Sequence, residues 1–163
     1  MKHASGALLV FTLCFFLLPG KAARAANALE GFDLGMTVEE AATVIGQNKL
    51  KQYYEDLDTP GKVSRSYEGN ILSNDNGTLD LVFLNGKLAM ITASLEGETP
   101  ELQQHVAQKY DMLYAEYHKL YGDQTESLMP GTTDWILSDR VVTLLRGETK
   151  VAVIVMSRGN VGQ

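Results

Sequence analysis

The stretch Thr99–Gly122, TPELQQHVAQKYDMLYAEYHKLYG, constrains the fold more than any other part of the chain. It predicts one long helix with a defined start and stop. Thr99 suits the N-cap, Pro100 the first helical position, and Glu101 the positive helix end. Gly122 can adopt the left-handed conformation that closes a helix. Leu102, Val106, Tyr110, Leu113, Tyr117 and Leu120 recur at spacings of three and four, so they share a face that Tyr114 and Tyr121 widen. That face must lie on an apolar surface, and strand-like sequence flanks it on both sides.

The rest of the chain supplies that surface. Thr37 and Glu40 form a capping box for a short helix of about two and a half turns that Gly46 closes. Gln47–Gly61 reads as a polar, acidic connector. Within it, Asp56–Gly61 is a plain turn, because Pro60 and Tyr67 stand where a calcium loop needs oxygen ligands. Lys62–Glu68 can form a strand, and Asn74–Gly77 is a turn cluster. Thr78–Leu84 and Lys87–Leu95 flank Asn85-Gly86, the preferred pair for a type I′ hairpin. Thr133–Leu137, Val141–Arg146 and Lys150–Ser157 are three further strands. The last of these is apolar on both sides, which predicts a central position. The predicted fold class is therefore α+β. One mostly antiparallel sheet of five to six strands carries the short N-terminal helix and the long helix on one face, in the order α-β-β-β-α-β-β-β. The two halves share this element order without a visible sequence repeat.

The N-terminus reads as a removable export signal. Lys2 gives a positive start, Ala7–Leu18 is a 12-residue apolar run, and Pro19-Gly20 breaks it. Ala23-Arg24-Ala25 fits a peptidase site, so residues 1–25 form the expected signal peptide and 26–163 a single domain. The apolar run is too short to span a bilayer, which takes about 20 residues. Cys14, the only cysteine, lies inside this run with Thr12-Leu13 before it, a poor context for lipid attachment. The expected product is a periplasmic protein without disulfides and without a stable membrane anchor after cleavage. Cleavage removes Lys2, Lys21 and Arg24 but no acid, shifting the formal charge from −6 to −9. That balance argues against nucleic-acid partners.

No catalytic signature is visible. His105 and His118 lie 13 residues apart on one helix, about 20 Å along its axis, so they cannot share a metal ion within one chain. There is no nucleophile elbow, phosphate loop or dinucleotide fingerprint. No catalytic, metal-binding or cofactor-binding residue is assigned. Tyr110, Tyr114, Tyr117, Tyr121 and the single tryptophan, Trp135, are either packing residues or a contact surface, since both uses suit amphipathic aromatics.

Gly35-Met36-Thr37, Glu40 and Ile45-Gly46, followed by Phe83-Leu84-Asn85-Gly86-Lys87-Leu88, form a recognisable pattern. Over residues 31–95 the chain resembles the SmpA/OmlA (BamE-like) and β-lactamase-inhibitor-protein-like superfamily of small exported bacterial domains. In that superfamily a capped helix precedes antiparallel strands with such a hairpin. The chain departs from the pattern in lacking a lipobox cysteine and in having Gly46-Gln47-Asn48 where Gly-x-Pro is common. The resemblance implies a non-enzymatic envelope protein that binds another envelope protein, and it carries over no functional residue. The alternative expectation is binding of a small molecule or peptide in a cavity between the long helix and the sheet.

Overall fold

A computed structural model describes residues 29–57, 59–73, 75–125, 127 and 129–160. The expected signal peptide lies outside these residues. The elements in chain order are α1 (Val38–Asn48), β1 (Lys51–Asp56), β2 (Lys62–Ile71), β3 (Asp75–Leu84), β4 (Lys87–Glu96), α2 (Pro100–Tyr121), β5 (Thr132–Ile136), β6 (Arg140–Arg146) and β7 (Lys150–Ser157), then a short 3₁₀ turn, Arg158–Asn160. All seven strands form one sheet in the order β1-β2-β3-β4-β7-β6-β5. Every neighbouring pair is antiparallel.

This corrects the expected α+β arrangement of five to six strands in the order α-β-β-β-α-β-β-β. Among the described residues the fold is mostly sheet, with seven strands and two α-helices, and the first of these helices is followed by four strands. The added strand is β1, inside the stretch read as a connector. Lys-Gln-Tyr-Tyr-Glu-Asp has no apolar face, because β1 is an edge strand held by backbone pairing to β2 rather than by burial. Two cross-strand ion pairs support it, Lys51–Glu68 at 2.8 Å and Glu55–Arg65 at 2.5 Å. The β2–β3 turn is also displaced. It falls at Leu72 and Ser73, both at positive φ, while the turn-like Asp75-Asn76-Gly77 belongs to β3.

Local chemistry sets the helix ends. Thr37 Oγ1 accepts from Glu40 N at 3.2 Å while Glu40 Oε2 accepts from Thr37 N at 2.7 Å, closing the capping box. Thr99 caps α2, Pro100 opens it, and the Gly122 N–H closes it on His118 O. Asn85 and Gly86, at φ 50° and 76°, make the two-residue turn between β3 and β4.

The core lies on one face of the sheet. Leu79, Leu81 and Phe83 of β3, Ile91, Ala93 and Leu95 of β4, Val151, Val153 and Val155 of β7, and Val142 and Leu144 of β6 are all buried there. Ala41 of α1, Val106, Leu113 and Tyr117 of α2, and Phe32 from the segment before α1 belong to the same cluster. Both helices therefore pack on this one face. Leu102 and Leu120, the two ends of the expected helix stripe, are 47% and 45% exposed. Their place in the stripe goes partly to Lys109, whose buried ammonium donates to Leu72 O at 2.9 Å and pairs with Asp75 Oδ2 at 2.5 Å.

Candidate functional site

The aromatic residues singled out in the sequence meet at the seam between α2 and the sheet. Trp135 is 1% exposed, and its Nε1 donates to Gly122 O at 3.1 Å. Tyr117 is buried and meets the indole edge-on at 5.8 Å, and burial pushes its phenol well above its ordinary pKa. Tyr114 and Tyr121 tilt against the same indole, at 6.1 and 6.3 Å. Tyr114 also donates to Gln124 Oε1 at 3.0 Å. Tyr110 places its hydroxyl 3.0 Å from Thr133 Oγ1, under the Arg146 guanidinium. Tyr110, Tyr114 and Tyr121 are half-buried. The five side chains come together at this seam, with Trp135 and Tyr117 buried in it.

Two polar clusters hold the segment before α1 in place. Glu30 Oε1 accepts from Leu72 N at 2.8 Å, and burial raises the Glu30 pKa. Burial also pushes Asp75 upward, but its pairing with Lys109 and His105 outweighs this and holds the carboxyl below its ordinary value. Arg140, buried at the start of β6, bridges Asp33 Oδ1 at 3.0 Å and Asp139 Oδ2 at 2.8 Å. His118 stacks on Tyr114 at 6.0 Å, away from His105. Among the described residues, no group of three or more His, Cys, Asp or Glu could hold a metal ion. Among them also, no helix is long and apolar enough to cross a membrane.

The face of the sheet opposite the helices is a different surface. Strand register builds it in rows. One row runs Asp56, Ser64, Val82, Met90, Met156, Val141, Ile136 across all seven strands. Its last five members are apolar. Val82, Met90, Met156 and Val141 are half-buried and Ile136 is 50% exposed. None of the five belongs to the core cluster. The next row holds Tyr54, Ser66, Asp80, Thr92, Ile154, Thr143 and Asp134, in which Thr143 Oγ1 donates to Asp134 Oδ1 at 2.6 Å. A third row passes through Thr78 and Ser94, whose hydroxyls are 2.8 Å apart.

This face is graded from apolar to polar. The apolar row lies toward the β3–β4 turn, where a shallow groove of about 390 Å³ among Leu34, Gly35, Leu84, Asn85, Lys87, Leu88, Ala89 and Ser157 opens at the end of the sheet, on the side of Leu88 and its partner Phe83 rather than on this face. At the other end a polar depression of about 200 Å³ is lined by Glu68, Asn76, Gly77, Thr78, Ser94 and Glu96. Gly77 is needed on the opposite side of the strand, where a Cβ would stand 2.4 Å from Ser94 O and 2.7 and 2.9 Å from the core side chains of Leu95 and Ile71. Methionines in the middle of the apolar row give a surface that adapts to what it meets.

Sequence reasoning missed this surface. Its trace was present in Lys150–Ser157, whose second apolar side, Ile154 and Met156, reads as burial of a central strand. β7 does lie between β4 and β6, but that side is half-exposed on the helix-free face. Alternation within a strand gives the members of a row. Only the strand order assembles them into a patch. No protein-family model, curated protein or solved structure matches the chain.

Proposed function

We propose that this chain is a non-enzymatic envelope protein that binds another protein on the helix-free face of its sheet. The observation that carries this reading is the apolar row Val82–Met90–Met156–Val141–Ile136, which crosses five strands in register and is covered by neither helix. Contiguous apolar surface with a polar surround favours protein contacts, whereas singly scattered apolar residues carry no such meaning. The resemblance of residues 31–95 to exported binding domains agrees with this reading, and so does the expected export signal. The aromatic seam does not favour a ligand cavity between α2 and the sheet, because Trp135 and Tyr117 are buried in that seam.

The test is affinity capture from an exported-protein fraction with the wild type and two variants. Met156→Glu places a charge in the centre of the row, and Met112→Glu places one on the exposed side of α2. The reading requires a discrete partner that the wild type and Met112→Glu retain and Met156→Glu loses. A partner kept by Met156→Glu and lost by Met112→Glu would move the site to the helix.

A further inference from the structure

The sheet has two edges, and they are not equivalent. On the β5 side, Thr125 N donates to Asp134 O at 2.7 Å, so part of that edge is already taken. On the β1 side, no described strand pairs with the outer edge. This edge also carries apolar side chains, with Tyr53 and Tyr54 each 54% exposed and Leu57 60% exposed. A row of outward N–H and C=O groups with tyrosines beside them is a template for another extended strand.

The register of β1 says which strand fits. In a regular strand Lys51 and Asp56, five positions apart, would point to opposite faces. β1 has an irregularity between Gln52 and Tyr54, which resets this alternation. Lys51 stands opposite Glu68 and Asp56 opposite Ser64, both on the helix-free face. Gln52 stands opposite Tyr67 and Glu55 opposite Arg65, both on the helix-covered face. Only residues on the same face can stand opposite each other across a new strand pair. An antiparallel copy of β1 meets that condition at both outer pairs of positions. Lys51 falls opposite Asp56 of the partner subunit, and Gln52 falls opposite Glu55 of the partner subunit. Tyr53 and Tyr54 lie at the two-fold axis.

We propose that this edge is a self-association site, where β1 pairs with β1 of a second copy to form one continuous fourteen-stranded sheet. A lysine and a bulge discourage indiscriminate strand addition. Here the same two features set opposite charges against each other when the incoming strand is a second β1, which favours this pairing over strands without that charge pattern. The helix-free faces of the two subunits would then run on from one to the other. The proposal does not depend on what that face binds.

The experiment is sedimentation velocity of the purified protein from about 1 to about 300 µM, a range chosen because a six-residue strand pair is a small interface. The wild type is expected to shift from monomer to dimer. Lys51→Glu, made together with Glu68→Lys so that the ion pair inside the subunit is kept in reversed form, and Asp56→Lys each set like charges opposite one another at two dyad-related positions and should weaken the dimer about tenfold. Their combination restores opposite charges and should recover wild-type association. Circular dichroism of each variant separates misfolding from loss of pairing. Met90→Glu, which alters the helix-free face and not the edge, should leave the dimer intact. A monomer at all concentrations overturns the proposal. So does a dimer that both variants leave unchanged, a combination no tighter than either variant, or a dimer lost in Met90→Glu.

Discussion

Met90 of β4 stands directly opposite Met156 of β7 on the face of the sheet that neither helix covers. This pair joins the two halves of the molecule, since β4 ends the first run of strands and β7 the second. It is also the middle of the apolar row. A core position at this point would be sensitive to any charge. Because both side chains are only half-buried, Met90→Glu or Met156→Glu should cost no more than about 1 kcal/mol, measured by urea denaturation. Val153→Glu, one strand position from Ile154 but on the helix side and fully buried, should abolish folding.

Among the described residues Trp135 is the largest fully buried side chain, and Tyr114, Tyr117, Tyr121 and the Gly122 carbonyl converge on it. Trp135→Phe removes its Nε1 bond to Gly122 O and leaves part of the indole volume empty. The expected cost is about 2–3 kcal/mol in chemical denaturation. As the single tryptophan, it should show blue-shifted emission in the native state that moves to the red on unfolding.

The Asp75 carboxylate sets a direction for acid stability. Its folded pKa lies below the ordinary value, so the stability it contributes is present above the unfolded pKa and is lost as pH falls through the folded one. Asp75→Asn leaves the buried Lys109 ammonium without its counter-charge and should cost about 2 kcal/mol at neutral pH. The difference between wild type and variant should shrink as both are titrated into acid. A gap that is constant with pH would mean that the ion pair is not what Asp75 contributes.

Two glycines separate close approach from backbone strain. Gly77→Ala would drive a Cβ to 2.4 Å from Ser94 O, so β3 and β4 must move apart, at about 3 kcal/mol. Gly86→Ala meets nothing within 4 Å and bears only the penalty of φ +76°, about 1 kcal/mol. Thermal unfolding of the two variants should rank them in that order.

Much of the local structure was readable in the residues, because caps and tight turns have strong short-range chemistry. Thr99, Pro100 and Gly122 bound α2 where the sequence places it, and Asn85-Gly86 turns the β3–β4 hairpin. What could not be read is what depends on neighbours distant in sequence. β1 has no apolar alternation because an edge strand buries little. Asn74–Gly77 has turn chemistry, yet the chain turns earlier, where Leu72 is held by Glu30 at its N–H and Lys109 at its carbonyl. Lys109 itself breaks the apolar stripe of α2, and its buried place depends on Asp75, which precedes it by 34 residues. The helix-free patch collects residues from β3, β4, β7, β6 and β5, so it exists only once the strand order is known.

The most direct test of the central claim is site-specific photo-crosslinking in living cells, with a photoreactive residue replacing Met90, Met156 or, on the exposed side of α2, Met112. The account predicts that positions 90 and 156 capture one and the same second protein, larger or smaller than a self-dimer, and that position 112 does not. Capture from position 112 alone, with none from 90 and 156, would contradict it.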